Sequence, residues 1–389
     1  MIMKVARRSL LRSLAVLALA FALIAPATAT AATPKTTDMS TAVVNSIMSR
    51  YPSATKLGGW GYQVGFALYG AYLVYERTHN PAYLTYIENW VDTYVDANGN
   101  INQSFNSLDS MQAGNLLVLL YQQTGQARYK TAADKIRARF NTYPRTSDGG
   151  MWHATSLPGQ LWLDGTYMSM PFLLRYGNEF NDQAYAQSQA ASAVLIDASH
   201  LQAPNGLLYH AYDQNPISWQ APGTQHSPEF WCRAIGWYGM TTVTTLDNLP
   251  ATAPQRPQIL TILRNLVAGM ARYQDPKTGR WFQVVDKGTV SGNWTETSCS
   301  SMYTYVIDKS VKKGWVAPGY HANAVRGYLG VMAQVSKESN GLVDIANICQ
   351  GTNVGNLAYY LARPRKTNDP HGLGAFLVMN EEYNGNPLA

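Results

Sequence analysis

Charged side chains are scarce in this sequence. Asp, Glu, Lys and Arg make up 14% of the 389 residues, whereas apolar residues make up 46%. This composition excludes an extended disordered chain and indicates a folded protein with a large core. The net charge of +6 weakly favours an anionic partner. No stripe of Lys and Arg alternates with aromatic residues, so we expect no nucleic-acid partner.

Cysteine is almost absent, with only Cys232, Cys299 and Cys349 in the whole chain. Three cysteines cannot form a disulfide framework for a chain of this length, and their odd number leaves at least one unpaired. No cluster of Cys and His has the spacing of a zinc site, so we predict no metal. We interpret the three as small buried hydrophobic side chains, with a disulfide between two of them as the alternative.

The motifs of several large enzyme classes are also missing. The chain has no Gly-x-Ser-x-Gly, no phosphate-binding loop, no dinucleotide fingerprint and no His-Glu-x-x-His. Nothing in the sequence therefore points to nucleotide-dependent or zinc-dependent chemistry, and we predict an activity without a cofactor.

The N-terminus carries an apolar run at residues 14–24, which is too short to span a membrane. Arg7 and Arg8 precede this run and small residues follow it, which is the pattern of an export signal. A twin-arginine signal and a general secretory signal both fit this pattern. We predict that residues 1–31 are an export signal and that residues 32–389 form one domain without a membrane span. The mature protein is then periplasmic or extracellular, and its oligomeric state is left open.

Helical periodicity dominates the remainder of the chain. Apolar spacing and capping residues predict about twelve helices, at 37–50, 60–77, 81–95, 108–124, 127–141, 163–176, 181–200, 229–246, 253–273, 296–313, 319–337 and 371–380. Only two short strands are predicted, at 207–212 and 281–285. Helices in near-equal pairs predict an all-α fold, an (α/α)6 barrel of six helical hairpins with short β excursions in its loops. In such a toroid the active site lies at one mouth.

Acidic residues number only 24, and four of them lie near helix starts among aromatic or small neighbours: Asp109, Asp164, Glu229 and Glu296. Asp164 has the most specific context, because Trp162 precedes it and Gly165 leaves space beside it. We expect neighbouring Trp and Met side chains to exclude water and raise the pKa of Asp164, as a general acid requires. The alternative for Asp164, and equally for Asp109, is a helix N-cap.

Aromatic residues are plentiful, with 25 Tyr and 10 Trp, and their rings suit stacking against sugars. Arg233 lies between Trp231 and Trp237, where its guanidinium could bind a carboxylate while the indoles form stacking walls. A structural Arg–Glu pair among core tryptophans is the alternative. His153 and His210 also lie among aromatic residues, where a core histidine with satisfied hydrogen bonds is the alternative to a functional one.

A set of motifs in a fixed order resembles glycoside hydrolase family 105, the unsaturated rhamnogalacturonyl hydrolases, which are related to the unsaturated glucuronyl hydrolases of family 88. The resemblance extends from about Trp60 to Leu377. The motifs are Leu108-Asp109-Ser110-Met111, the stretch from Gln160 to Met168, Tyr209-His210, the stretch from Phe230 to Tyr238, Glu296-Thr297-Ser298, the stretch from Cys349 to Thr352, and the stretch from His371 to Leu377.

This resemblance implies a six-hairpin barrel and an unusual hydrolysis. The substrate would be an oligosaccharide whose non-reducing end is a 4,5-unsaturated uronic acid left by a polysaccharide lyase. Ordinary glycosidases act at the anomeric carbon with two carboxylates. Here the ring double bond would be hydrated instead, and the resulting hemiketal would open and release the leaving sugar.

The resemblance also implies roles for individual residues. Asp164 matches the residue that protonates C4 and helps to activate water for addition at C5. Asp109 matches a second acidic residue, which binds ring hydroxyls and tunes Asp164. The matched substrate-binding positions are His210, Trp231, Arg233 and Trp237, with Trp237 stacking on the sugar and Arg233 holding polar or anionic groups. Trp162, His153 and Trp60 are further substrate-binding candidates.

One departure from the family pattern bears on specificity. Many members have Lys directly after the histidine that corresponds to His153, whereas this chain has Ala154. The leaving sugar, rhamnose or another, is therefore left open. An unsaturated glucuronyl hydrolase acting on ulvan, arabinogalactan or glycosaminoglycan fragments is the alternative within this chemistry, and a non-catalytic carbohydrate-binding toroid is the alternative outside it.

Overall fold

The computed structural model describes residues 38–217 and 219–383, to which the structural statements below refer. The predicted export signal lies outside these residues. The described helices are α1 (Met39–Arg50), α2 (Tyr62–Thr78), α3 (Pro81–Val91), α4 (Gly114–Thr124), α5 (Ala127–Arg139), α6 (Leu163–Phe180), α7 (Gln183–Leu201), α8 (Cys232–Asn248), α9 (Arg256–Arg272), α10 (Thr297–Lys312), α11 (His321–Met332), α12 (Leu357–Leu361) and α13 (Pro370–Glu382).

Six of these helices form a closed inner ring. Helices α2, α4, α6, α8, α10 and α13 each contact the next, and α13 contacts α2 to complete the circle. Helices α3, α5, α7, α9 and α11 pack outside, each against the inner helix that precedes it. The sixth hairpin joins the two ends of the described chain, because α1 packs on α13. The predicted all-α (α/α)6 barrel is confirmed.

Inner and outer helices differ in how much of their surface is buried. In α6, 14 of 18 residues are buried, so nearly its whole circumference contacts other helices. In α5 the buried residues are Tyr129, Ala132, Ala133 and Ile136, which form a single stripe at helical spacing. A helix buried on all sides belongs in the wall of a lumen, whereas a helix with one stripe belongs outside it. No described helix is long and apolar enough to cross a membrane.

Short antiparallel strand pairs lie at the N-terminal ends of several inner helices. The pairs are β1 (Gln160–Trp162) with β2 (Ala211–Asp213), β3 (Trp281–Phe282) with β4 (Thr295–Glu296), β5 (Val335–Lys337) with β6 (Val343–Ile345), and β7 (Ile348–Cys349) with β8 (Arg365–Lys366). Strand β1 leads directly into α6 and β4 into α10. These pairs fix the loops at one mouth of the barrel.

Several predicted bounds are wrong. The helix predicted at 319–337 ends at Met332, because the chain then turns into β5 and pairs with β6. The helix predicted at 108–124 is a 3-10 turn at Leu108–Ser110 followed by α4. The strand predicted at 207–212 is shifted to Ala211–Asp213, so His210 lies just before it, and the strand predicted at 281–285 is limited to Trp281–Phe282. Helix α12 was not predicted.

The cysteines also differ from the favoured prediction. Cys232 and Cys299 form a disulfide across 67 residues of sequence, which joins the N-terminal ends of α8 and α10. The interpretation of all three as separate hydrophobic side chains is therefore wrong for this pair, and it holds for Cys349, which is buried and free. Glu296 lies beside the disulfide, but the two sulfurs are bonded to each other and are not available as metal ligands.

Candidate active site

Asp164 occupies the first turn of α6, where its carboxylate points to a histidine rather than to the helix backbone. The N-cap of α6 is Trp162, which makes no side-chain capping bond, so the N-cap alternative for Asp164 is wrong. Its Oδ2 lies 3.0 Å from Nε2 of His210. Both residues are buried, with 8% of Asp164 and 0% of His210 exposed. The carboxylate is therefore held by a side chain that is 46 residues away in sequence.

His210 is itself held by Tyr360 of α12. The Tyr360 hydroxyl lies 2.7 Å from Nδ1 of His210 and accepts a hydrogen bond from the backbone N–H of Gly355. The hydroxyl proton is then free to be donated to Nδ1, which leaves Nε2–H to donate to Asp164. This chain of hydrogen bonds fixes the tautomer of His210 and aims its N–H at the carboxylate.

The pKa of Asp164 is shifted in the direction opposite to that predicted. Burial raises the pKa of this carboxyl, as the aromatic context suggested. However, the interactions with His210, His153 and Arg233 outweigh burial, so the pKa of Asp164 lies below its ordinary value. The prediction of a raised pKa is thus wrong for the unliganded site, in which Asp164 is ionised at neutral pH. Burial lowers the pKa of His210, which is neutral there.

Asp109 lies in the 3-10 turn before α4 and is the second carboxyl of the site. Ser107 is the N-cap of this turn and accepts from the backbone N–H of Asp109, so the N-cap alternative is wrong here too. The Asp109 Oδ1 lies 3.7 Å from Nε2 of His153. Its side chain is 35% exposed yet lies deep in the mouth, where burial and the nearby Asp164 raise its pKa. The two carboxyls therefore have pKa values that are pushed apart.

His153 and Trp162 form a stacked pair between these two carboxyls. Their rings lie 4.2 Å apart and nearly parallel, and Trp162 meets the ring of His210 edge-on. Gly165 makes room for this arrangement. A Cβ at that position would lie 2.9 Å from Leu108 and 3.4 Å from Nδ1 of His153. Trp162 is half-buried and keeps part of its ring open to the mouth.

Arg233 is fully buried and binds backbone rather than a carboxylate. Its Nη1 donates to the carbonyl of Cys349 at 2.5 Å and its Nη2 to that of Gln350 at 3.0 Å. Its predicted role in holding polar or anionic groups of the substrate stays a prediction. The alternative of a direct Arg–Glu pair is wrong, because Glu296 caps α10 and accepts from the backbone N–H of Cys349. Arg233 thus holds the loop after β7 against the start of α8.

The remaining predicted aromatics differ in accessibility. Trp231 and Trp237 have 1% and 0% of their surface exposed. The ring of Trp237 packs between Phe66 and Tyr167, and that of Trp231 packs on His210. Neither has an open face in this structure, so their role as stacking walls stays a prediction. Trp60 is half-buried and donates from Nε1 to the carbonyl of Ser110, next to Asp109.

Sequence reasoning missed a Tyr–His–Asp chain on the same mouth. The Tyr62 hydroxyl lies 2.8 Å from Nε2 of His371, whose Nδ1 lies 2.5 Å from Asp369. Burial lowers the pKa of His371 to about 4. Trp60, Asp369 and His371 line a cavity of about 440 Å³ beside this chain. The stretch from His371 to Leu377 is one of the motifs of the family resemblance, but no signal in it identifies Tyr62 as a partner of His371.

Two of the four acidic residues that the sequence analysis selects near helix starts, Glu229 and Glu296, have structural roles. Glu229 pairs with Lys287 at 2.7 Å in the loop before α8, and Glu296 is a structural cap. The structure therefore brings together Asp109, Asp164, His153, His210 and Trp162, and adds Tyr62, His371 and Tyr360.

Comparisons with known proteins find similar sequences and similar structures along most of the chain. The model of Glycosyl Hydrolase Family 88 matches residues 39–385. A family 105 glycoside hydrolase structure from C. acetobutylicum superposes with a TM-score of 0.85 and 32% identity, covering 90% of this chain and 99% of that one. The unsaturated rhamnogalacturonyl hydrolase YesR of Bacillus subtilis is 27% identical over 277 residues, which cover 65% of this chain and 74% of YesR.

Two further similarities extend the comparison. Protein Atu3128 of Agrobacterium fabrum is 31% identical over 241 residues, which cover 55% of this chain and 97% of that protein. The unsaturated glucuronyl hydrolase of Bacillus sp. GL1 superposes with a TM-score of 0.65 at 12% identity, covering 89% of this chain and 95% of that one, which is a likeness of fold.

Proposed function

We propose that this chain, which belongs to the glycosyl hydrolases of families 88 and 105, releases a 4,5-unsaturated uronic acid from the non-reducing end of lyase-generated oligosaccharides. The observation that carries the proposal is the placement of Asp164. Its carboxylate is buried and is oriented by the hydrogen bonds that run from Tyr360 through His210. It also lies near Asp109, whose pKa is shifted in the opposite direction.

The proposed reaction begins with a change in the charge of Asp164. The substrate carries a carboxylate, and its negative charge near Asp164 raises the pKa of that residue so that it takes up a proton. Asp164 then donates this proton to C4 of the enol ether, which leaves positive charge shared between C5 and the ring oxygen. Water adds at C5 and returns its proton to Asp164. The hemiketal opens, and the aglycone leaves with the net consumption of one water.

Neighbouring groups have defined tasks in this scheme. His210 donates to one oxygen of Asp164 and so leaves the other for the substrate. Asp109, whose pKa is raised by burial and by Asp164, lies where it can hydrogen-bond to a ring hydroxyl. The half-buried rings of Trp162 and Trp60 offer apolar faces to the sugar at the mouth.

We propose unsaturated galacturonyl-rhamnose from rhamnogalacturonan as the substrate. The likeness to YesR, an unsaturated rhamnogalacturonyl hydrolase, supports this choice. Galacturonyl and glucuronyl residues become the same once the 4,5 double bond exists, so the leaving sugar decides the specificity. Ala154 stands where many relatives have Lys and leaves the subsite beside His153 without that charge.

The decisive experiment follows the loss of ultraviolet absorbance from the unsaturated uronate. The purified protein is incubated with lyase digests of rhamnogalacturonan, ulvan and heparin at equal double-bond concentration. We expect the fastest decay on the rhamnogalacturonan digest. Faster decay on ulvan or heparin digests would reassign the substrate to the glucuronyl type, and no decay on any digest would refute the proposed reaction.

We also propose that the protein is exported. The Arg7-Arg8 pair, the apolar run at 14–24 and the small residues after it support this proposal. The disulfide between Cys232 and Cys299 is consistent with an oxidising compartment. Replacement of Arg7 and Arg8 by Lys should retain the protein in the cytoplasm if the twin-arginine route is used, whereas export should persist if the general route is used.

A further inference from the structure

The end of the barrel opposite Asp164 contains a second cavity, of about 200 Å³, which we call the distal cavity. All six inner helices contribute to its wall, through Tyr69, Asn115, Arg175, Thr244, Tyr305 and Val378. Arg175 follows Asp164 by eleven residues in α6, which places it about 16 Å further along the helix axis. Exposed residues Gln122 and Asn178 lie at its rim, so the cavity opens to solvent at that end.

A layer of aromatic rings separates the distal cavity from the active site. Tyr167 lines the cavity, and its ring stacks on Trp237 with centroids 4.7 Å apart. Phe66 packs against both rings and closes the layer. A ligand in the distal cavity would therefore not touch Asp164 or Asp109.

The distal cavity contains a positive charge, that of Arg175, which has no direct ion pair among the described residues. Arg175 makes one side-chain hydrogen bond, from Nε to Oδ1 of Asn115 at 3.3 Å, and its guanidinium lies 5.2 Å from the ring of Tyr69. No carboxylate of the described chain lies within ion-pair distance of it. Glu179 follows Arg175 by one helical turn in α6 and accepts from Gln122 instead, and Asp247 binds Lys309 and Lys313.

Further polar groups in the cavity also lack partners. Gln112 is 1% exposed and contributes to the cavity wall, while its Oε1 faces Gly65 and has no partner among the described residues. Within the described residues no hydrogen bond engages the hydroxyls of Tyr69, Tyr167 or Tyr305, which all line the cavity. Burial raises the pKa of Tyr167 and of Tyr305, so both hydroxyls keep their protons and can donate. These hydroxyls are therefore available to donate hydrogen bonds to a ligand in the cavity.

We propose that the distal cavity is a binding site for a small hydroxylated carboxylate of the size of a sugar acid. Its carboxylate accepts from the terminal nitrogens of Arg175, in the bidentate geometry that guanidinium favours. Its hydroxyl groups accept from the tyrosines. The aromatic faces of Tyr69 and Tyr167 cover its apolar side.

Calorimetric titration of the purified protein with D-galacturonate tests this proposal. Three proteins are compared: the wild type, Arg175→Gln and the matched control Arg272→Gln. Arg272 lies at the end of α9, is exposed, and carries the same charge on the outer layer. We expect binding to the wild type and to the control, and affinity lowered about ten-fold or more in Arg175→Gln.

Two further measurements test the same binding site. The variant Tyr305→Phe removes one donor with almost no change of shape, so it should also weaken binding even if Arg175→Gln folds poorly. A crystal soaked with D-galacturonate should show the ligand beside Arg175. Equal affinity in all variants, a ligand found only at the Asp164 mouth, or water alone in the distal cavity would each overturn the proposal.

Discussion

The two ends of the barrel lumen are built from the same six helices, yet they hold their central charged side chains in different ways. At the Asp164 end, a continuous series of hydrogen bonds joins Asp164, His210 and Tyr360 and ends on the backbone of Gly355. At the distal end, the side chain of Arg175 has a single hydrogen bond within the described residues, to Asn115.

This difference separates two kinds of site. A side chain that must hold a proton in a defined place needs neighbours that fix its position and its pKa before the substrate arrives. A side chain that only has to bind can remain unpartnered, because the ligand supplies the missing contacts. The comparison predicts that substitutions at the Asp164 end reduce turnover, whereas those at the distal end leave turnover unchanged and affect ligand binding alone.

The largest expected effect comes from Asp164→Asn. This change keeps the shape of the side chain but removes its ability to carry a proton, so turnover should fall about a hundred-fold or more. Asp197→Asn is the matched control, because Asp197 is also buried and its pKa is raised well above the ordinary value by burial. The control should retain turnover within about two-fold. Normal turnover in Asp164→Asn would show that the catalytic group lies elsewhere.

A smaller effect is expected from His210→Phe, which keeps a flat ring against Trp231 but removes both nitrogens. Burial would then act on Asp164 without the opposing hydrogen bond, so the pKa of Asp164 should rise and the carboxyl should take up its proton at a higher pH. Turnover should fall about ten-fold because the carboxylate is no longer aimed. Carboxyl ¹³C titration, assigned by comparison with Asp164→Asn, measures the pKa. An unchanged pKa would mean that His210 does not control this group.

The smallest expected effect is a contrast in stability between Tyr360→Phe and Tyr305→Phe. The first change leaves Nδ1 of His210 and the N–H of Gly355 without a partner, so the free energy of unfolding should fall by about 1–2 kcal/mol. The second removes a hydroxyl that has no partner in the described chain, and the change should stay within about 0.5 kcal/mol. Urea unfolding at neutral pH measures both. Equal losses would erase the distinction between the two ends.

Much of the fold could be predicted from the sequence because local patterns determine it. The single buried stripe of α5 and the all-round burial of α6 are both visible as apolar spacing. The 3-10 turn that carries Asp109 was harder to predict, because its apolar spacing continues into that of α4. The residues of strand β5 follow a helical pattern in sequence, and they form a strand because they pair with β6.

The candidate site could also be predicted only in part from the sequence. The positions of Asp109 and Asp164 followed from their motifs, whereas the direction of the Asp164 pKa shift did not. That direction depends on His210, and His210 depends on Tyr360, which lies 150 residues further along the chain. The disulfide between Cys232 and Cys299 was similarly open, because only the closed ring brings the starts of α8 and α10 together. Chemistry that depends on contacts between hairpins cannot be read from any one hairpin.

Closure of the ring by α1 and α13 has a consequence for the order of folding. Helix α13 lies between α2 and α10, and its Asn380 donates a hydrogen bond to Ser40 of α1. The first five hairpins can pair with their neighbours as they are synthesised, but the circle stays open until the last helix has left the ribosome. Contacts between the two ends of the described chain have the greatest sequence separation among the described residues, so their formation should be the slow step of folding. Loss of α13 would therefore leave an open ring with an uncovered apolar wall.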